Sequence, residues 1–520
     1  MRETLKAALQ GWVDQIGAAR DPSLALEPGA LAATRELADD MQPEGTDLEA
    51  RRMLGWMYFY RSLALPRHQG DYEAAMAALE QFTPCFLAGE QDLPQPMLPA
   101  IADAAAEDAA ATVHGLRNSH DIAQISTAAR TWQRIIAALP DDHPERALHL
   151  RYLALALQLL AEQSTDHQSI GLLDAAIKAR ERAVDAIPDG APDRASALCD
   201  LGASWQLRFE RTNAIEDVDK WVEAFERAVE AAPAPGPDLS RRLGHLSIAL
   251  RNRFGRTGRR DDADKAVQTA RQAVAAALHR DRPDALSVLG AALRTQFEHT
   301  ADPAQINEAV EQHRHALAAV PTDADDAKYL SGLGIALGTR FKLTGRLQDI
   351  DEAVSRLQQA VDATPESAAG LRARRLSHLG AAHSSRFDHT GAVVDLDDAI
   401  TAGRQALQLA AAAAKDVPAA VAAADVSMYM SNLGSPLQKR FVRTGASSDI
   451  DEAVNILRGA VDATEPDHPD RAGRLSNLSN ALQVRFERYG RMADADEAVD
   501  TARQATEATA ATADSHLGRV

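Results

Sequence analysis

The sequence predicts an all-α fold, a solenoid of stacked helical hairpins. One pattern recurs seven times between residues 198 and 505: a Leu-rich stretch, an Arg-Phe pair, a Thr-Gly break and an acidic stretch ending in Glu-Ala-Val. The period of about 45 residues is typical of solenoids, whose units bury their apolar faces only by stacking. The chain is 45% hydrophobic but only 4% aromatic, which favours Ala- and Leu-rich helix packing over strands. The anchoring phenylalanines are Phe209, Phe254, Phe297, Phe341, Phe387, Phe441 and Phe486.

Each copy begins with a helix that ends near its Phe. Leu always stands eight residues before the Phe, and further apolar residues stand eleven and usually four before it, which makes one apolar stripe on a helix. The residue seven before the Phe is always Gly or Ser, as at Gly202 and Ser247. Gly in a helix interior costs about 1 kcal/mol relative to Ala. Its recurrence therefore predicts that a second helix crosses closely at this point.

A stop and a restart follow the Phe. The Thr-Gly pair, as at Thr257-Gly258, supplies a residue that tolerates positive φ just past a helix end. Asp then stands eight residues after the Phe, with an acidic residue three later, as at Asp349 and Glu352. This spacing predicts a capping box at the start of a second helix. Each copy is therefore expected to be a hairpin of two helices.

Charged residues recur at fixed places in the copies. An Arg precedes the Phe in most copies, and an Asp follows ten residues after it, as at Arg340 and Asp351. In the third copy both change together, to Gln296 and Asn307. This pattern predicts an ion pair between the two helices of one hairpin. Basic residues are otherwise expected to be interleaved with acidic ones along the helices.

The second helix also carries the intervals of a known repeat. Ala353, Ala360 and Pro365, together with the Leu-Gly of the first helix, resemble the tetratricopeptide repeat (TPR). The usual TPR unit has about 34 residues, so the first helix is expected to be longer by about two turns. Long repeats rich in Leu-Gly, Arg-Phe, Thr-Gly and Glu-Ala-Val also resemble the arrays that precede CHAT domains, which are caspase-like modules, in actinobacterial proteins. The resemblance implies a TPR-like superhelix.

The regularity of the pattern divides the chain in two. Residues 1–150 are expected to form an N-terminal helical cap with degenerate TPR-like hairpins, and residues 151–520 a regular array of about eight hairpins. The interval between Phe387 and Phe441 is longer by about nine residues, an Ala-rich run from Ala410 to Ala424 that contains Pro418. We expect this run to extend a helix pair or to bulge on one face.

Composition argues against several classes of function. The net charge of −19 weighs against nucleic acid as a partner, because phosphate binding needs clustered Lys and Arg. No apolar run is long enough to span a membrane, and residues 1–20 have no signal-peptide core. A cytoplasmic protein without a membrane partner is therefore expected. The isolated Cys85 and Cys199 are expected to be buried, reduced thiols.

Chemical motifs are missing from the sequence. Its histidines lack the spacing of a zinc helix, and there is no Gly-rich phosphate loop and no nucleophile elbow. We therefore expect no enzymatic activity, no cofactor and no metal site.

The expected function is an interaction scaffold that binds a protein or peptide in its superhelical groove. Positions facing away from the apolar stripe vary between copies, and they supply the candidate concave-face residues Asp200, His245, His378, Asn432, Lys439, Asn477 and Gln483. A second candidate is the N-terminal aromatic patch Trp56, Tyr58 and Tyr60, whose alternative interpretation is packing of the cap.

Two other functions remain open. The chain could be the sensor half of a larger CHAT-type, protease-like effector, attached or separate. The last residues, from Ser515 to Val520, stand where another hairpin would begin, and this favours a chain that continues. The weaker alternative is a regulator that binds a small ligand between repeats.

Overall fold

A computed structural model describes residues 2–41, 47–66, 70–164, 166–231, 238–320, 326–413, 419–466, 468 and 470–517. Every regular element in these ranges is a helix, and none of the 22 α-helices there is long and apolar enough to cross a membrane. The chain forms two compact units, Met1–Ser164 with Gly171–Pro188, and Thr165–Ile170 with Asp189–Val520. The predicted division at residue 150 concerns the regularity of the repeats and stays a prediction.

The first unit is a helical assembly around large buried side chains such as Phe82 and Trp132. One hairpin of this unit has a close helix crossing at the Gly of a Leu-Gly pair, because a Cβ on Gly55 would lie 2.6 Å from the ring of Phe82. The α-helices are α1 (Arg2–Ala19), α2 (Pro28–Asp40), α3 (Leu48–Ala64), α4 (Asp71–Leu87), α5 (Leu98–Gly115), α6 (Ile122–Ala138), α7 (Arg146–Glu162) and α8 (Asp166–Asp185), which runs into both units; short 3₁₀ turns cover Pro22–Leu26, Gln95–Met97 and Leu116–Asn118.

The second unit consists of seven hairpins, and this confirms the predicted helical-hairpin array. The first helices of the hairpins are α9 (Pro192–Thr212), α11 (Leu239–Thr257), α13 (Arg282–Thr300), α15 (Ala327–Thr344), α17 (Ala369–Thr390), α19 (Ala419–Thr444) and α21 (Arg471–Tyr489). The second helices are α10 (Ile215–Glu230), α12 (Arg260–Ala276), α14 (Pro303–Ala318), α16 (Leu347–Asp362), α18 (Val393–Ala413), α20 (Ser447–Asp462) and α22 (Met492–Leu517).

The first helices also touch one another. From α11 to α21, each first helix contacts the first helix of the next hairpin, and α9 contacts α19. The stack therefore curves toward the first helices, which line its inner side. We use the term inner surface for the faces of α11, α13, α15, α17, α19 and α21 on that side.

The close crossing of the two helices is confirmed. A Cβ on Gly334 would lie 2.6 Å from Leu357 Cγ and 3.2 Å from the carbonyl oxygen of Ala353. Where Ser replaces Gly, its hydroxyl donates to the carbonyl of the equivalent Ala: Ser247 Oγ lies 2.8 Å from Ala266 O. The position is small because the backbone of the second helix passes over it.

The turn between the helices is also as predicted. Gly258 has a φ of 65°, and its N–H donates to Phe254 O over 2.7 Å. Thr257 holds the turn, since its hydroxyl donates to Arg253 O (2.7 Å) and accepts from the N–H of Arg259 (3.3 Å).

The predicted capping box is wrong. Helix α16 begins at Leu347, so that Asp349 is its third residue rather than its N-cap, and the N-cap Arg346 makes no side-chain capping bond. The N–H of Asp349 donates to Arg346 O over 2.9 Å, while its carboxylate is buried and faces an arginine. The helix starts earlier because Thr344 Oγ1, in the turn, accepts from the N–H of the N-cap residue Arg346.

The long interval between Phe387 and Phe441 lengthens two successive helices. Helix α18 has 21 residues and α19 has 26, whereas α16 and α20 each have 16. The extra residues thus lengthen the end of α18 and the start of α19. Pro418 lies outside the described residues.

Candidate interaction surface on the first helices

Buried ion pairs fasten the two helices of six of the seven hairpins. Arg340 approaches Asp349 with two atoms, Nε at 2.9 Å from Oδ2 and Nη2 at 2.6 Å from Oδ1. This hydrogen bond to Asp349 raises the pKa of Arg340 even though burial opposes the charge. The same pairing recurs in Arg208–Asp217, Arg253–Asp262, Arg386–Asp395, Arg440–Asp449 and Arg485–Asp494.

A second contact of these arginines links neighbouring hairpins. Arg485 Nη1 lies 3.1 Å from Asp451 of the preceding hairpin. In four places the Asp ten residues after the Phe therefore pairs with the Arg of the next hairpin, and the predicted pairing within one hairpin is corrected. In the third hairpin, Gln296 accordingly donates to Asp264 of the preceding hairpin (2.7 Å) rather than to Asn307.

One part of this ladder of ion pairs has the donor set of a metal site. His383 Nδ1 lies 3.3 Å from Asp395 Oδ1 and 3.8 Å from Asp398 Oδ2. Burial would raise the pKa of Asp395, but hydrogen bonds from Arg386 and His383 lower it below its usual value. Because the Arg386 guanidinium already neutralises Asp395, we assign the trio to the ladder.

Three of the sequence-predicted concave-face residues bridge adjacent first helices. Asn432 Nδ2 donates to Ser377 Oγ over 2.9 Å, and Asn477 Nδ2 donates to Ser431 Oγ over 3.1 Å. Lys439 Nζ lies 2.7 Å from Asp388 Oδ2. All three side chains are half-buried. Each donates a hydrogen bond to the adjacent first helix.

The other concave-face candidates have different surroundings. The ring of His245 stacks on Phe225 with centroids 5.2 Å apart, and burial lowers the pKa of His245. Gln483 is exposed and donates to Glu487 of its own helix over 2.9 Å. Asp200 is half-buried. His378 lines a partly open cavity among the first helices.

That cavity has a volume of about 140 Å³ and lies between α15, α16 and α17. Its walls are mainly apolar, with Ile335, Leu357 and Ala381 among them, and Lys342 stands at its edge. Gly338 opens the space, since a Cβ added there would meet nothing within 4 Å. We call this space the Gly338 cavity.

His378 lines the Gly338 cavity and has one unsatisfied polar atom. Its Nδ1 is buried and has no hydrogen-bond partner among the described residues. Burial, with help from the nearby Arg374 and Arg294, lowers the pKa of His378 to about 4. The ring is therefore neutral near pH 7 and has a free hydrogen-bonding nitrogen.

Cations are concentrated on the first helices, not interleaved with acids as expected. Helices α11 and α15 contain no Asp or Glu, whereas α16 and α20 each carry four acidic residues and one Arg. The ladder neutralises some of the first-helix cations. Lys342 is exposed and has no ion pair with any described residue. Burial and the charge of Arg294 lower the pKa of Arg251 to about 10, and Arg251 donates to Thr295 Oγ1 over 3.2 Å.

Two wider depressions lie on the opposite side of the array. One, of about 700 Å³, includes Asp264 and Gln268, and the other, of about 650 Å³, includes Asp351 and Ser355. These residues occupy equivalent positions in two repeats. The depressions are thus a general feature of the spacing of second helices.

The N-terminal aromatic residues pack within the first unit. The Trp56 ring lies 5.9 Å from that of Phe82 and 5.4 Å from that of Tyr60, and its Nε1–H donates to Asp92 O over 3.3 Å. Tyr58 is half-buried against the same clusters. This placement matches the packing interpretation of the aromatic residues, and their role as a recognition patch stays a prediction.

The two cysteines have weakly acidic thiols. Burial raises the pKa of Cys85 to about 11 and also raises that of Cys199. A thiol that stays protonated is a poor nucleophile. The sites around both cysteines therefore favour inert thiols.

Comparisons with known proteins agree with the repeat. Residues 372–409, which span most of α17 and α18, match a family model described as tetratricopeptide repeat. No curated protein matches the sequence.

Solved structures show only distant similarity. BtubC from P. vanneervenii is 16% identical, with 49% of this chain and 91% of that chain covered and a TM-score of 0.33. The human IFIT1 dimer with PPP-AAAA is 13% identical, with 92% and 86% covered and a TM-score of 0.38. A Rap protein complexed with competence and sporulation factor is 12% identical, with 79% and 99% covered and a TM-score of 0.37.

The family model and the chain's own geometry coincide at the fifth hairpin, whose helices cross and turn like those of its neighbours. The chain contains a tetratricopeptide repeat at residues 372–409.

Proposed function

We propose that the chain is a non-catalytic interaction scaffold that binds a protein or peptide segment along its inner surface. The observation that carries this proposal is the unbroken row of contacting first helices from α11 to α21. TPR-type repeats commonly present such extended concave surfaces to partners. A cytoplasmic location is part of the proposal.

The amides on this surface suit an extended peptide. Each Asn side chain has two N–H donors and one carbonyl acceptor, and Asn432 and Asn477 each use one donor for a serine. The remaining groups can bond to the main chain of a bound segment, a recurring mode of peptide recognition. The two residues occupy the same position in successive first helices.

Affinity capture from the source organism tests the scaffold proposal. The bait is the full chain, and its variant carries Asn432→Ala together with Asn477→Ala. A matched control carries Gln268→Ala, since Gln268 is exposed on α12. We expect a polypeptide that the wild type and the control retain and that the double variant retains at least about tenfold less, a difference of about 1.4 kcal/mol. Equal retention by all three baits would contradict the proposal.

The resemblance to arrays that precede CHAT domains adds a further possibility. In that case the partner's binding would be relayed to an effector, either attached or separate. This possibility rests on the resemblance and stays a prediction.

A further inference from the structure

The Gly338 cavity coincides with an unusual residue of the repeat. The residue three before the Phe is Gln206, Arg251, Arg294, Ser384, Gln438 or Gln483 in the other hairpins. Only the fourth hairpin has Gly there. Because Gly in a helix interior costs about 1 kcal/mol relative to Ala, and no side chain crosses at Gly338, packing gives no reason for this residue.

The size and walls of the cavity fit one apolar side chain. Its volume is about 140 Å³, and an apolar cavity of about 150 Å³ can hold one benzene-sized group. Ile335, Leu357 and Ala381 supply apolar walls. Filling such a space with a Leu or Ile side chain contributes about 1.5 to 3 kcal/mol.

His378 adds a polar ring to these walls. Its Nδ1 is buried and has no partner among the described residues. Because that atom is not accessible, the cavity offers one residue of a peptide a place for its side chain only.

The charge around the cavity selects the kind of peptide. Helix α15 has three basic residues and no acidic one, and its Lys342, at the edge of the cavity, has no ion pair with a described residue. Arg294 lies on the adjacent first helix α13, where it pairs with Glu298, and Arg251 lies one first helix further away, on α11. Carboxylates flanking the inserted side chain would be attracted to this surface.

We infer that the Gly338 cavity is the anchor point for an acidic peptide, which inserts one medium-sized apolar side chain and places neighbouring carboxylates near Lys342. This inference rests on the proposed scaffold function and specifies where and what the scaffold binds. Single-stranded nucleic acid is the less favoured polyanion, because its bases need aromatic rings to stack on and the described walls of the cavity contain no Phe, Tyr or Trp.

Fluorescence anisotropy with synthetic probes tests the inference on the full chain. The first probe is a short fluorescein-labelled peptide of Glu and Asp with one central Leu. In the second probe Gly replaces the Leu, in the third Lys replaces every acidic residue, and the fourth is single-stranded oligothymidylate. The variants are Gly338→Leu, which fills the cavity, and Lys342→Gln, which removes the charge at its edge. Gly255→Leu is the control, since Gly255 is an exposed helical glycine of α11 that also has nothing within 4 Å.

We expect the acidic Leu peptide to bind the wild type and the control equally well. Gly338→Leu, or replacement of the peptide's Leu by Gly, should weaken binding at least about tenfold, because each prevents burial of the side chain. Lys342→Gln should weaken binding less, and the basic peptide should not bind. Lys342→Gln keeps the inference testable if Gly338→Leu lowers the yield of folded protein.

Other results would overturn the inference in distinguishable ways. Undiminished binding to folded Gly338→Leu would place the peptide elsewhere and leave the scaffold proposal standing. Tighter binding of the basic peptide would reverse the assigned charge. Binding of oligothymidylate alone would contradict both the inference and the scaffold proposal. No binding of any probe would overturn the anchor site, and the capture experiment would then decide the scaffold proposal separately.

Discussion

Arg440 and Asp449 form a two-point ion pair across the sixth hairpin, with Nε–Oδ2 and Nη2–Oδ1 distances of 2.8 Å. The third nitrogen, Nη1, donates to Asp397 of the preceding hairpin, also over 2.8 Å. One guanidinium therefore joins three helices, α18, α19 and α20. This double use explains why the repeat keeps an Arg and two Asp at fixed spacing.

Removal of this arginine should destabilise the array. In Arg440→Met, the Asp449 carboxylate, whose side chain is only 5% exposed, is left without its counter-charge. Breaking a buried pair by removing one partner costs about 3 to 5 kcal/mol, to be measured by urea unfolding of the full chain. The control is Arg443→Met, since Arg443 is exposed on the same helix. Equal unfolding midpoints for the two variants would show that the ladder does not stabilise the array.

Two glycines one turn apart on α15 should respond oppositely to the same substitution. Gly334→Ala forces a Cβ to within 2.6 Å of Leu357 Cγ, so the helices must separate, which costs about 1 to 3 kcal/mol. Gly338→Ala meets nothing within 4 Å and should stabilise the helix by up to about 1 kcal/mol. Thermal unfolding of both variants checks this prediction. A lower melting temperature for Gly338→Ala than for the wild type would contradict the open space next to Gly338.

Acid should destabilise the array partly through His313. The ring is buried between Gly290 and Gly332, where added Cβ atoms would each lie 2.7 Å from it. Burial and the charges of Arg294 and Arg251 lower the pKa of His313 to about 3, from an ordinary value of 6.5. Between these two values the unfolded chain binds a proton that the folded chain rejects. The free energy of unfolding should therefore fall as the pH drops from about 6.5 toward 3.

His313→Leu should remove this part of the pH dependence. Leu occupies the equivalent position in other hairpins, as Leu357 and Leu457, so the substitution fits the repeat. Urea unfolding at a series of pH values would compare the wild type with the variant. An unchanged slope between pH 6.5 and pH 4 would contradict the assignment of His313 as a buried neutral group.

Cys85 should react slowly with iodoacetamide in the folded protein. Burial raises the pKa of its thiol to about 11, so little thiolate exists at pH 8, and the side chain is inaccessible. Mass spectrometry of timed samples measures the modification, with guanidinium-unfolded protein as the control for the chemical reactivity of the thiol. Rapid modification of Cys85 before unfolding would contradict its placement in the core.

The recurring small residues and Thr-Gly breaks were sufficient to predict the hairpins. A Gly or Ser at one fixed position requires a close helix crossing, as Gly334 and Ser247 show. The role of Asp349 could not be predicted in the same way, because an Asp near a helix start fits both an N-cap and a position two or three residues inside. Only the structure shows that Asp349 faces Arg340.

Relationships between hairpins were the least predictable. Spacing within one repeat suggested that Arg440 pairs with Asp451, whereas the register of neighbouring hairpins brings Asp397 to it. The same limit applies to the candidate site. Asn432 was expected to face a groove, yet it reaches Ser377 because successive first helices touch. The absence of a side chain at Gly338 was the sequence signal for the cavity, but a glycine alone does not distinguish a space from a close crossing.

Site-specific photo-crosslinking in the source organism tests most directly whether the inner surface binds the partner. A photoreactive phenylalanine analogue would replace Lys342 on α15 in one strain and Gln268 on α12 in another, both exposed in the free protein. We expect a polypeptide adduct from position 342 and none from position 268. Adducts of equal yield from both positions, or an adduct with nucleic acid from position 342, would contradict this expectation.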